Sequence, residues 1–193
     1  MQTRTVLQAK KCHVRTKSSL AAALLSIGAL LSRTAFGATS RDACTLPDDL
    51  QREVTKGYPD AHVVSLADLR GNDKVLFVKD HGNLCPGLAT VDFYGDGNRT
   101  FAIDLVSNGA KGRKASLVVA REVGQMWSLV RIDAANLGAT PVVWNDKPGE
   151  YADVYGRKKV QAKRPVIVWC AYDAWAILYA WTGSNVSKIW LAD

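Results

Sequence analysis

The sequence lacks the short motifs that mark most catalytic and metal centres. It has no Gly-x-Ser-x-Gly nucleophile elbow, no His-Glu-x-x-His helix and no glycine-rich phosphate-binding loop. It has no Cys-x-x-Cys pair, and after residue 37 its only histidines are His62 and His81, so a zinc site is not favoured. No pair of carboxylates is marked out as catalytic. These absences weigh against an enzyme, and we assign no catalytic residue.

Acidic residues are missing from the first 37 positions, which carry six basic ones. An apolar run at 20–31 follows the basic part, and small residues follow at 34–38. The run is shorter than the about 20 residues that a membrane-spanning helix needs. This order is typical of a secretory signal peptide, so we expect residues 1–37 to be removed, with cleavage after Gly37 or Ala38. The protein is then periplasmic or secreted; an uncleaved membrane anchor is the alternative.

Net charge is also nearly absent once that segment is removed. The 193-residue chain has 25 Lys and Arg against 18 Asp and Glu, a net charge of +7, but residues 38–193 have 19 against 18, or +1. A near-neutral protein does not attract polyanions through its overall field, so we expect no nucleic-acid partner. No linker divides residues 38–193, and their length suits a single domain.

Three cysteines follow the signal segment: Cys44, Cys85 and Cys170. In an oxidising compartment two of them are expected to pair, which leaves one over. The sequence does not choose the pair, although a turn-rich setting for Cys85 and a strong strand at Cys170 favour joining these two. Asp80-His81 near Cys85 could instead form a Cys–His nucleophile. In an exported chain, a disulfide or a surface turn is the better interpretation.

The chain from residue 38 begins with a helical pattern and continues as strands. Proline and two aspartates open residues 46–58, Leu50 and Val54 lie four apart, and glycine and proline end the segment. Short β-branched and aromatic runs separated by turn residues then predict antiparallel strands. The predicted strands are residues 62–65, 75–78, 88–93, 100–106, 115–120, 126–132, 141–144, 165–172, 175–181 and 186–191. We therefore predict an α+β fold, an N-terminal helix on a predominantly antiparallel β-meander or sandwich.

The stretch 91–102, VDFYGDGNRTFA, nearly matches a calcium loop. With Asp92 as position 1, Asp96 takes position 5, but position 3 is Tyr94 and position 9 is Thr100. An Asp-Gly pair between strands is also a common hairpin signal. Because two ligands are missing, we expect a turn without a bound cofactor, with Asp92 and Asp96 as weak calcium candidates.

The same stretch resembles the FG-GAP or VCBS-type repeat, over residues 87–105 only. The resemblance implies an extracellular β-rich protein, since such repeats usually build β-propellers. One copy in a chain this short does not close a ring, so we expect no closed propeller. The chain after the signal segment also resembles small secreted bacterial proteins of unknown function, in which such a turn precedes a meander ending in Tyr-x-Trp-x-Gly, here residues 179–183. That likeness supports the fold and implies no activity.

Five positive charges are concentrated in the segment 156–164, which we call the basic segment: Arg157, Lys158, Lys159, Lys163 and Arg164. If the segment is extended, Arg157, Lys159 and Lys163 share one face. That face could meet an envelope protein or an acidic polymer. The alternative is a solvated edge strand that its lysines protect against aggregation.

An aromatic row occupies residues 175–181. Alternation places Trp175, Ile177, Tyr179 and Trp181 on one face, and the small side chains of the other face would let a helix approach closely. Exposed aromatic rows bind sugars or proteins, whereas buried ones are core, which is the commoner role. The sequence thus predicts an exported, non-catalytic binding or inhibitor-type protein of the cell envelope. The alternative is a small hydrolase of envelope or extracellular polymers, which would need a pocket with converging carboxylates or histidine.

Overall fold

The computed structural model describes residues 43–109, 112–136 and 138–192. The predicted signal peptide lies outside these residues. Within the described part, no helix is both long enough and apolar enough to cross a membrane. The strands are paired antiparallel, two helices are short, and the sheets do not form a closed propeller. The prediction of a mainly antiparallel β fold is confirmed.

Two larger sheets, one hairpin and two helices make up the described part of the fold. The helices are α1 (Asp48–Gly57) and α2 (Gly71–His81). The five-stranded sheet contains β1 (Ala61–Val63), β2 (Leu88–Thr90), β3 (Thr100–Gly109), β4 (Gly112–Val123) and β5 (Met126–Asn136). The four-stranded sheet contains β6 (Val142–Asp146), β9 (Val166–Ala171), β10 (Trp175–Trp181) and β11 (Val186–Ala192), and β7 (Gly149–Ala152) pairs with β8 (Lys159–Ala162).

The main core lies between the two larger sheets. Leu117 and Val119 of β4 meet Trp169 of β9 and Tyr179 of β10 in one buried cluster. Alternation along β3 and β4 turns the intervening apolar residues to the opposite face of the five-stranded sheet. These strands therefore read as continuous apolar runs, because both of their faces are covered.

The second face of the five-stranded sheet is covered by α1. Leu50 and Val54 lie one helical turn apart and pack with Ile103 of β3. The indole N–H of Trp127 on β5 donates to Asp49 Oδ2 at 2.8 Å, so the first turn of the helix is fixed to the edge of the sheet. Each large apolar side chain buried here contributes roughly 1.5–3 kcal/mol.

Helix α2 corrects the predicted strand at 75–78. A strand would place Val75 and Phe77 on the same face. Instead Phe77 is buried while Val75 and Val78 are exposed, as the 3.6-residue period of a helix dictates. The helix ends at Gly82, whose φ of 63° suits glycine and whose N–H donates to the Val78 carbonyl at 2.8 Å. Four apolar residues in a row were too short a signal to separate the two structures.

The small-residue face of β10 also differs from expectation. Leu178 and Ala180 pack against Tyr151 of β7 and Ala162 of β8, so a hairpin and not a helix covers this face. Strand β7 was not among the strands predicted from the sequence. Residues 147–165 are an excursion between two directly paired strands, since Asp146 of β6 lies opposite Val166 of β9.

A disulfide joins Cys44 to Cys85 across a sequence separation of 41 residues. The expectation that Cys85 pairs with Cys170 is therefore wrong. Cys170 is buried on β9 opposite Val142, and takes no part in this bond. The two bonded sulfurs lie 3.7 and 3.5 Å from the carbonyl oxygen of Val64, at the end of β1. This contact between distant segments has no sequence signature.

Strands β1 and β2 follow one another along the same edge of β3, and they meet at Gly87. The Val64 N–H donates to the Asp104 carbonyl at 3.0 Å, and the Asp104 N–H donates to the Gly87 carbonyl at 2.9 Å. A Cβ on Gly87 would lie 2.5 Å from both the nitrogen and the oxygen of Val64. Only glycine fits this crossing without a shift of the backbone.

Candidate functional site

The Asp-Gly loop connects β2 to β3 and is held by arginines. Asp96 accepts a hydrogen bond from the Asn98 N–H at 3.0 Å, and its other oxygen pairs with the guanidinium of Arg121. The Asn98 backbone bond, with a smaller contribution from Arg121, lowers the pKa of Asp96. Arg164 donates to the Gly95 carbonyl. The loop therefore turns the chain with Asp96 already paired to a cation.

A calcium ion at this loop would compete with that ion pair. Asp92 is exposed, and Tyr94 packs its ring against Arg121 at 4.8 Å and against Trp181 at 5.0 Å. Tyr94 is thus occupied in packing at the position where a calcium loop places a ligand. Across 43–109, 112–136 and 138–192, no group of three or more His, Cys, Asp or Glu side chains is arranged to hold a metal.

The basic segment is divided between a turn and a short strand. Only Lys159 of its cations belongs to β8, whereas Arg157 lies in the preceding turn and Lys163 follows the strand. Lys159 pairs with Glu150 at 3.4 Å, and both side chains are mostly exposed, so the pair contributes little. Arg164 points to the Asp-Gly loop. The expected single extended face of Arg157, Lys159 and Lys163 is therefore not formed.

The turn between β7 and β8 instead joins β11 to form a surface of rings and cations. The Val154 N–H donates to the Trp190 carbonyl at 2.8 Å, and Lys158 Nζ donates to the Lys188 carbonyl at 2.7 Å. These bonds use the outer edge of β11. We call the resulting patch the cation–aromatic surface, made of Tyr155, Arg157, Lys158, Lys188 and Trp190.

The rings of the cation–aromatic surface are open to solvent and each has a cation beside it. Tyr155 is 62% exposed and Trp190 is 41% exposed. The guanidinium of Arg157 lies 5.5 Å from the Tyr155 ring centre, and Lys188 Nζ lies 5.1 Å from that of Trp190. Within the described part of the chain, neither Arg157 nor Lys158 forms an ion pair with a carboxylate.

The aromatic row of β10 lies mainly in the core. Tyr179 is 1% exposed, and Trp175 and Trp181 pack partly buried against the same cluster. The Tyr179 hydroxyl donates to Asp133 of β5, which also pairs with Lys188 Nζ at 2.5 Å. Burial, followed by the Asp133 carboxylate, raises the pKa of Tyr179. Tyr179 therefore ties the two sheets together and is not available to a partner.

A concave site lies where β2 of the five-stranded sheet meets β6 of the four-stranded sheet. The Val143 N–H of β6 donates to the Pro86 carbonyl at 2.7 Å, and Asn145 Nδ2 donates to the Thr90 carbonyl at 2.6 Å. A cavity of about 320 Å³ opens between these strands and α2. We call it the seam pocket; its lining includes Phe77, His81, Leu88, Thr90, Trp144 and Asn145.

The seam pocket has little titratable chemistry. His81 is the one titratable side chain among its described lining residues, and Cys85 contributes a sulfur that is already bonded to Cys44. The suggested Cys–His nucleophile is therefore excluded, because a disulfide sulfur is not a thiolate. The His81 ring packs between Phe77 at 4.9 Å and Trp144 at 4.8 Å.

Comparison of this chain with protein-family models, curated proteins and solved structures found no match.

One buried carboxyl group stands apart from both surfaces. Asp104 of β3 is fully buried between the sheets, near the indole of Trp169, and neither of its oxygens makes a hydrogen bond in the described structure. Burial raises the pKa of Asp104 well above its ordinary value of 3.8, and the Trp169 indole opposes this only in part. Its apolar surroundings therefore disfavour the charged form of the carboxyl group.

Sequence reasoning found the cations of the basic segment but not their aromatic neighbours. Tyr155 was adjacent to that segment and could have been included. Lys188 and Trp190 lie two residues apart on β11, and only the pairing of this strand edge with the β7–β8 turn brings them close to Arg157 and Lys158. The seam pocket combines residues from α2, β2 and β6, so no local sequence pattern predicts it.

Proposed function

We propose that the protein is an exported, non-catalytic binding protein of the cell envelope that recognises an acidic partner through the cation–aromatic surface. The main support for this proposal is that the Tyr155 and Trp190 rings are exposed beside cations, at the edge of β11 and in the turn bonded to it. Aromatic and arginine side chains are enriched at binding sites, and aromatic rings offer large contact areas at low entropic cost. The adjoining cations give that contact a preference for negative charge.

The distribution of charge supports recognition by a local patch. A net charge of +1 after residue 37 creates no strong overall attraction, so affinity for an anion has to come from groups in direct contact with it. Arg157 and Lys158 lack carboxylate partners in the described structure and can pair with an incoming anion. Lys188 is shared with Asp133, so its contribution is smaller.

The Cys44–Cys85 disulfide supports export, since such bonds persist in oxidising compartments. The hydrolase alternative gains no comparable support. Its predicted feature, a pocket with converging carboxylates or histidine, corresponds at best to His81 in the seam pocket, whose described lining contains no carboxylate. A binding role therefore fits these residues better.

The test is titration of the mature protein with heparin, as an acidic polysaccharide, and with polyglutamate, as an acidic polypeptide. We expect weak binding to at least one of them that fades with added salt, because exposed charges are screened beyond about 8 Å at physiological ionic strength. Arg157→Glu and Trp190→Ala should each weaken binding by about tenfold, or about 1.4 kcal/mol.

Lys56→Glu is the matched control, because Lys56 is exposed on α1 and the change in net charge is the same as in Arg157→Glu. This control should bind like the wild type. Equal loss in Lys56→Glu and Arg157→Glu would mean that net charge alone is responsible, and no loss in either would overturn the proposed surface. Stronger binding to duplex DNA than to both probes would contradict the expectation of a partner other than nucleic acid.

A further inference from the structure

We infer that the seam pocket binds a small planar molecule, largely apolar and carrying one hydrogen-bonding group, such as an indole or a phenol. The pocket of about 320 Å³ falls within the range of small-molecule sites, which are mostly apolar with a few placed polar groups. This site lies between α2, β2 and β6, whereas the cation–aromatic surface lies at β11. The inference is independent of the proposed acidic partner.

Three rings form one wall of the seam pocket. Phe77 and His81 have ring centres 4.9 Å apart with an interplanar angle of 32°, and His81 and Trp144 are 4.8 Å apart at 43°. A planar ring added to this series can adopt the offset or edge contacts that aromatic pairs prefer. A saturated ring of similar size has no such contacts to make, so flatness is the property that the wall selects.

Polar atoms at the rim supply orientation. The side-chain amide of Asn145 has two N–H donors and one oxygen acceptor, and its bond to the Thr90 carbonyl at 2.6 Å uses one donor. That bond fixes the orientation of the amide and leaves its second N–H donor and its oxygen acceptor for a ligand. Thr90, whose side chain carries a hydroxyl, also lines the pocket. A ligand with a single N–H or O–H group can be satisfied here, whereas a charged ligand meets, among the described lining residues, one titratable side chain, His81.

The pocket is held open by bonds that do not depend on a ligand. The Cys44–Cys85 disulfide adjoins it, and the hydrogen bond from Val143 N–H to the Pro86 carbonyl, at 2.7 Å, joins β6 to the segment that precedes β2. A preformed site avoids the ordering cost that weakens binding to a flexible one. Leu84, which lines the pocket, is 60% exposed and offers an apolar contact to an entering ligand.

The experiment is titration of the whole mature protein with indole, phenol and cyclohexanol, followed by two-dimensional NMR of backbone and indole N–H groups. We expect saturable binding of indole or phenol, with shifts at Trp144 and the Asn145 amide, and at least about tenfold weaker binding of cyclohexanol. Thr90→Trp should weaken indole binding by a similar factor, because Thr90 is exposed and lines the pocket.

Thr55→Trp adds the same side chain on the exposed face of α1 and should bind indole like the wild type. Equal affinity for cyclohexanol would overturn the preference for a planar ligand. Absence of saturation at millimolar indole, or shifts that map away from α2, β2 and β6 in the wild-type protein, would overturn the site itself. The wild-type map decides the matter even if the Thr90 variant does not fold. The result of the indole titration does not depend on whether Trp190→Ala loses heparin binding, because Trp190 belongs to the other site.

Discussion

Removing the Cys44–Cys85 disulfide should cost the domain much of its stability. The bond closes a loop with a sequence separation of 41 residues. In the chain-entropy description, a cross-link of this span removes about 13 cal/mol/K from the unfolded state, or about 4 kcal/mol at room temperature. Stabilities of single domains are about 5–15 kcal/mol, so the loss is a large fraction of the total. For a domain of this size it lowers Tm by roughly 8–16 °C.

The assay is urea unfolding of the Cys44→Ala/Cys85→Ala variant beside the wild type, monitored by circular dichroism. The urea concentration at the midpoint should fall and the m-value should rise, because the unfolded chain without the cross-link exposes more surface. The rise in m separates an effect on the unfolded state from a simple loss of packing at Cys85, which would leave m unchanged. A loss of less than about 1 kcal/mol would refute the reasoning, since the span alone demands more.

Three further predictions concern single positions. Gly87→Ala should destabilise the fold by at least about 2 kcal/mol in urea unfolding, because its Cβ would lie 2.5 Å from backbone atoms, whereas Gly57→Ala, with nothing within 4 Å, should not. Asp104 has a raised pKa in the folded state, so its contribution to the free energy of unfolding is full below its unfolded pKa of about 3.8 and is lost as pH rises through the folded pKa. Asp104→Asn should remove that loss of stability. If the unfolding free energies of the wild type and the variant change in parallel between acidic and neutral pH, the prediction is contradicted. Millimolar calcium should change stability by less than about 1 kcal/mol, because Asp96 is already ion-paired, and a shift of many degrees in Tm abolished by Asp96→Asn would contradict this.

The parts of the fold that repeat along the chain could be predicted from it. Alternation in residues 175–181 gave the inward face of β10, because each second side chain of a strand points the same way. The apolar runs of β3 and β4 were recognised as strands because β-branched and aromatic residues lie between turn residues. At 75–78 the local pattern failed, since the burial of Phe77 with Val75 exposed distinguishes a helix from a strand, and that burial depends on packing against the sheets.

The candidate sites were predicted only where their residues are neighbours in sequence. Arg157 and Lys158 were found as part of a charge cluster, but the surface they belong to also needs Trp190, which a strand edge brings to them. The choice of Cys44 over Cys170 as the partner of Cys85 likewise depends on which segments meet at the end of β1. Such long-range contacts follow from the packing of whole elements, and no local residue pattern encodes them.

The excursion at 147–165 leaves the four-stranded sheet at Asp146 and returns beside it at Val166, so its length does not affect the register of β6 and β9. Its base is constrained, because Tyr151 and Ala162 cover the apolar side chain of Leu178. Beyond the bond from Val154 to β11, residues 155–157 at its tip are exposed, and exposed loop tips tolerate insertion and exchange. The sequence of the tip can therefore change while the two sheets keep their pairing, and a designer can exchange the tip without rebuilding the core.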